Sequence, residues 1–244
     1  MTIEAVEAPS DRGIVRAGGL ALVIGAIAFI AVFSYLAASF NYPDVLDGSA
    51  ADVLPALLAT GGSGRGVWAL YAFLPLIWIP AAAGAFHALR HHSEGSMRAA
   101  THFATVASLS MMLGLMRWPS IHWELARAYA TAGADQRPLF EALFLGLNRY
   151  LGNYIGEFLG EFSMSIFFLL SSLAMLRSRT FPRWVGYFGV ITAVAGIIGM
   201  FRNTASAAAP IAEVNNYLLP LWMIIFGVSL LRSRHSPRYR PSEL

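Results

Sequence analysis

The sequence predicts an all-α polytopic membrane bundle of six transmembrane helices. Both termini fall on the cytoplasmic side, and short interfacial helices lie on the extracytoplasmic side. Three observations predict it. Of 244 residues, 57% are hydrophobic and only 13% charged, about half the ~25% charge of soluble domains. Mean hydropathy is +0.57, and six stretches approach the ~20 apolar residues that cross a ~30 Å hydrocarbon core. The arginines gather in every second connection, as the positive-inside rule requires. A soluble globular chain and a disordered one are both excluded.

All 17 basic residues are arginine. Without lysine there is no Schiff base to retinal or pyridoxal phosphate and no P-loop lysine. Without cysteine there is no disulfide, thiolate metal site, iron–sulfur cluster or thiol nucleophile.

Residues 1–16 form a cytoplasmic segment, followed by a first span at 17–40. That run exceeds a signal peptide's apolar region of roughly 7–15 residues and stays as an anchor. The extracytoplasmic segment 41–66 opens with Asn41-Tyr42-Pro43-Asp44. It holds a short helix at 50–59 and then the flexible run Gly61-Gly62-Ser63-Gly64. The second span is 67–89, kinked at Pro75 and Pro80, and the third is 99–116. Segment 117–152 carries two helices, 121–131 capped by Ser120 and a second capped by Asp135 with Pro138 in its first turn. Leu139, Leu143, Phe144 and Leu147 share one face of the second helix, which suits the membrane interface. Gly152 bends that helix down into the fourth span at 153–176. The fifth and sixth spans are 184–201 and 215–231, so 17–231 is the membrane domain and 232–244 a basic cytoplasmic tail.

Arg12, Arg16, Arg90, Arg98, Arg177, Arg179, Arg183, Arg232, Arg234, Arg238 and Arg240 all fall on one side. These arginines place that side in the cytoplasm of a bacterial cell membrane. The isoelectric point of about 9.4 is thereby explained by topology, without a nucleic-acid partner. An internal echo, Leu176-Arg177-Ser178-Arg179 against Leu231-Arg232-Ser233-Arg234, reads as the basic stop signal that each inward exit needs.

Ionisable groups inside spans are costly, so each marks a candidate site. Arg149, Asn153, Glu157 and Glu161 recur every four residues along one slowly drifting helical stripe. The 15 residues from Phe162 to Leu176 rise about 22 Å, which sets Glu157 near the outer boundary and Glu161 a turn deeper. Arg117 ends the third span and Arg202 the fifth at a similar level, with His122 just beyond Arg117. These seven residues form the expected ligand-binding set, a polar pocket in the outer half roofed by the interfacial helices. Glu161 is expected to face inward, near Arg117 or Arg202. His87 and His102, each about a turn from the inner end of its span, are a weaker pair of haem ligands, with His91 as an alternative. The residues specify no metal beyond that pair and no other cofactor.

Further landmarks are Asn41-Tyr42-Pro43-Asp44-Val45-Leu46, Arg117-Trp118-Pro119, Leu125-Ala126-Arg127-Ala128-Tyr129, Tyr150-Leu151-Gly152, Gly156-Glu157, Leu159-Gly160 and Pro182-Arg183-Trp184-Val185-Gly186. On these the chain resembles a bacterial family of six-span membrane proteins filed as a domain of unknown function. The resemblance implies a shared fold and a shared polar corner at Glu157 and Arg117, and no activity. Similar proteins often carry His where Phe158 and Asn148 stand here, which weakens a metal reading of the fourth span.

The sequence thus points to binding or transport of a small ligand or proton in the outer pocket. An accessory or assembly subunit of a larger membrane complex ranks second. A membrane enzyme acting on a lipid or quinone-like substrate ranks third, so an enzyme is the less favoured reading. The expected partners are membrane lipid, a small molecule, complex subunits or a second copy of the chain.

Overall fold

Apolar runs of this length satisfy their backbone within themselves, and that dictates helices. The computed structural model describes residues 10–233, and among them there is no strand. Arg234, Arg238 and Arg240 of the tail lie outside the described residues, and with Arg234 the last residue of the echo's second copy. Helix α1 is Ser10–Phe40, α2 Ala50–Ala59 and α3 Gly61–Phe73. Next come α4 Trp78–Met116, α5 Trp123–Thr131, α6 Arg137–Leu147, α7 Gly160–Arg177, α8 Arg183–Gly199 and α9 Ala209–Arg232. Five helical runs are long and apolar enough to cross a membrane.

One of those runs, Gly61–Thr131, has 71 residues, which as a straight rod would measure about 106 Å. It doubles back instead. Ser93 leaves helical geometry at φ −168°, ψ 70° inside α4, and beyond it the chain returns until Trp118 stacks on Trp68 at 4.9 Å. Around this hairpin the long helices close a ring: α1 on α4, α4 on α7, α7 on α8, α8 on α9, and α9 back on α1.

Small residues let the ring close. A Cβ on Gly18 would lie 2.7 Å from the Gly84 Cα, and one on Gly114 would lie 2.6 Å from the Gly156 Cα. Such backbone contact is how membrane helices associate when no hydrophobic effect drives them together. Large apolar side chains point outward in stripes, Leu20, Ile24 and Ile27 on α1 and Trp184, Tyr187 and Ile191 on α8. In water these would be liabilities; against acyl chains they are the expected surface.

The two ends differ. At one, Asp11 pairs with Arg90 at 2.7 Å and His87 at 3.0 Å, and Arg177 donates to Ser93 at 3.2 Å. At the other, α2, α5 and α6 pack on one another as a cap. Ser49 caps α2 by accepting from the Asp52 N–H at 3.3 Å. The Tyr129 hydroxyl donates to Glu141 at 2.9 Å, fastening α5 to α6. Arg65 donates to the Pro119 carbonyl at 2.9 Å.

Several local expectations are corrected. The glycine-rich run 61–64 is helical and opens α3, with Gly61 at φ +65° making the turn from α2. Ser120 bonds back to the Met116 carbonyl rather than capping. Helix α6 starts at Arg137 without a side-chain cap from Asp135. Pro75 breaks the helix into the 3₁₀ turn Leu74–Ile77, whereas Pro80 sits in the first turn of α4, where proline is tolerated. Gly152 lies inside the π-helical stretch Asn148–Leu159, within a helical run that extends from 137 to 177.

Candidate functional site

Between α1, the turn at Leu74–Ile77, the end of α4, residues 152–161 and the start of α9 lies a cavity of about 360 Å³. Its lining includes no residue of α2, α5 or α6, so the interfacial helices do not form the expected roof. Three local devices build it. Asn41 at φ +51°, a geometry that asparagine tolerates, ends α1 and turns Tyr42 toward the cavity. The 3₁₀ turn at Pro75 opens space beside Phe29 and Phe33. The third is the wall Asn148–Leu159, wound as a π-helix. Asn153 and Glu157 stand on it, Glu161 follows four residues on in α7, and all three line the cavity.

Arg202, from the turn that ends α8, organises that wall. Its Nη1 and Nη2 donate to the two Glu161 oxygens at 2.7 and 2.8 Å, a two-pronged pair. Its Nη2 also lies 3.0 Å from Glu157 Oε2, which accepts a 2.6 Å bond from Asn203 Nδ2. One guanidinium therefore serves two carboxylates, and Glu161 uses both oxygens on it.

Arg117 stands apart. It is only 4% exposed, and its Nε donates to Asn148 Oδ1 at 3.0 Å. Its Nη1 donates to the Gly114 carbonyl, and the group rests over the Trp118 ring at 5.0 Å. A Cβ at Gly152 would lie 2.5 Å from Nη2, so Gly152 is the space that the guanidinium occupies. Among the described residues no carboxylate pairs with Arg117. Tyr42 lies within electrostatic reach of Arg117, Arg202 and Glu157, and Tyr71 within reach of Glu157 and Glu161.

The remaining lining is apolar except at the rim. Phe29, Phe33, Ile77, Trp78, Met111 and Met223 form the floor and sides, while the exposed Asp44, Glu213 and Asn216 sit at the rim. Beneath the floor the ring is packed solid with Ala81, Ala82, Ala104, Phe167, Phe168, Trp222 and Phe226.

Over residues 17–232 the chain matches the family described as Domain of unknown function (DUF4386). It belongs to that family. It is an integral, multi-pass membrane protein. No curated protein and no solved structure matches it.

In this member of the DUF4386 family, Asn153, Glu157, Glu161, Arg117 and Arg202 are brought to one cavity. Arg149 is exposed and does not line it. His122 is wholly buried outside it, between Trp118 at 4.9 Å and Phe144 at 4.8 Å, with no hydrogen bond to either ring nitrogen among the described residues. His87 is engaged by Asp11, and His102 is exposed. Sequence reasoning did not single out Tyr42 and Tyr71 as site residues. It also missed the ladder Gly152, Gly156 and Gly160, which meets Arg117, Gly114 and Met111 in turn. The ladder's spacing of four was the available signal.

Proposed function

We propose that this protein is a receptor-like binding protein of a bacterial cytoplasmic membrane, taking a small molecule from the extracytoplasmic side into a dead-end cavity. In this reading Gly61–Thr131 crosses twice, reversing at Ser93, which makes six crossings. The end carrying Asp11, Arg90 and Arg177 faces the cytoplasm, following the arginine bias.

The observation that supports binding is the cavity itself: charged groups held ready at one end, an apolar floor, and a volume within the usual range for small-ligand sites. Transport has less support, since the core under Trp78 and Met223 is built mainly of apolar side chains, and its buried polar groups are chiefly serines of α7. The test is native mass spectrometry of protein purified from its own membranes. The wild type is expected to carry a small bound mass. Ala209→Trp, which puts a large side chain into the cavity from α9, should remove it. Equal adducts on both proteins, or none on either, would contradict binding in this cavity.

A further inference from the structure

The cavity wall is charged in a way that selects a head group. Arg202 balances only one of the two carboxylates it serves, leaving the Glu157 side with an excess negative charge. The Oε1 atom of Glu157 accepts no hydrogen bond from the described residues, because both of its contacts fall on Oε2. Arg117 carries the matching positive charge. A guanidinium has five N–H donors, and among the described residues only two of Arg117's reach a protein acceptor.

Both groups line the same cavity without forming an ion pair with each other. The four inner charges sum to zero, so an occupant with net charge would leave an uncompensated ion where the dielectric is low. A dipolar occupant offers an acceptor to Arg117 and a donor to Glu157. Asp44 and Glu213 do not change this balance, being exposed at the rim and open to screening by salt.

Resting on the binding function proposed above, we infer that the occupant is a small amphipath. Its head has no net charge but carries an acceptor end for Arg117 and a donor end for Glu157, and its apolar body lies on Phe29, Phe33, Trp78 and Met223. A hydrophobic zwitterion and a neutral amide both meet that description; a simple anion and a simple cation do not.

One scaffold separates these cases. At neutral pH phenylalanine is a zwitterion, N-acetylphenylalanine amide is neutral, N-acetylphenylalanine is an anion, and 2-phenylethylamine is a cation. Titration calorimetry of the full-length protein in lipid nanodiscs should show the first two binding at least tenfold more tightly than the last two. Glu157→Gln should lower the preference for the zwitterion over the N-acetyl anion while retaining neutral-amide binding. Tighter binding of the anion or the cation by the wild type would overturn the inference, as would no binding by any of the four. The mass measurement with Ala209→Trp does not depend on head-group charge. It can therefore fail or succeed independently of this series.

Discussion

Replacing Arg202 with methionine is expected to destabilise the protein by about 3–5 kcal/mol, the usual consequence of removing one partner from a buried ion pair. That range applies because Arg202 and Glu161 are about a quarter exposed or less, at 25% and 21%, and because Glu157 loses its cation in the same step. The two carboxylates would then share the cavity wall without that cation, Asn203 supplying only a hydrogen bond to Glu157. The triple variant Arg202→Met, Glu157→Gln, Glu161→Gln should recover most of the loss, since removing both signs of charge together is often nearly neutral. Thermal unfolding of the three proteins in one detergent distinguishes the cases. Unchanged stability in the single variant would mean that the cluster does not fasten α7 to α8.

The second large effect is expected at the crossing of α4 with the π-helical wall. Gly114→Leu puts a side chain where a Cβ alone already lies 2.6 Å from the Gly156 Cα and 3.0 Å from the Leu151 carbonyl. Backbone on the far side cannot rotate away as a side chain would. Overpacking typically costs about 1–3 kcal/mol and occasionally more, and here it also displaces Arg117, three residues on. The expected result is little folded protein by size-exclusion chromatography. Gly146→Leu, where a Cβ would meet nothing within 4 Å, is the matched control and should behave as wild type.

Much of this architecture was legible in the sequence because the bilayer imposes lengths. Apolar runs and arginine clusters located the long helices, and Ala50–Ala59 emerged with the bounds that the structure gives. The four-residue spacing of Asn153, Glu157 and Glu161 placed them on one wall. It failed for Arg149, which lies a further turn out, where the helix leaves the cavity and the side chain meets solvent.

Other features depended on partners far along the chain. Nothing local marks Asn148–Leu159 for π winding, whose wall must accommodate Arg117 from another helix. Tyr42 looks like part of a loop until Asn41 turns it inward. His122 reads as a polar candidate, yet the aromatic rings of Trp118 and Phe144 enclose it away from the cavity. The glycines of 61–64 resemble a linker, but the cap packing around α3 overrides their low helix propensity.

The native chain has no cysteine, so single thiols can report the side from which each position is reached. A membrane-impermeant maleimide applied to intact cells is expected to label Gly133→Cys in the cap and Asn153→Cys in the cavity wall. Ser178→Cys should react only in inverted vesicles. Adding Ala209→Trp should protect Asn153→Cys and leave Gly133→Cys reactive. Labelling of Asn153→Cys from the cytoplasmic face alone would contradict a ligand cavity that opens outward.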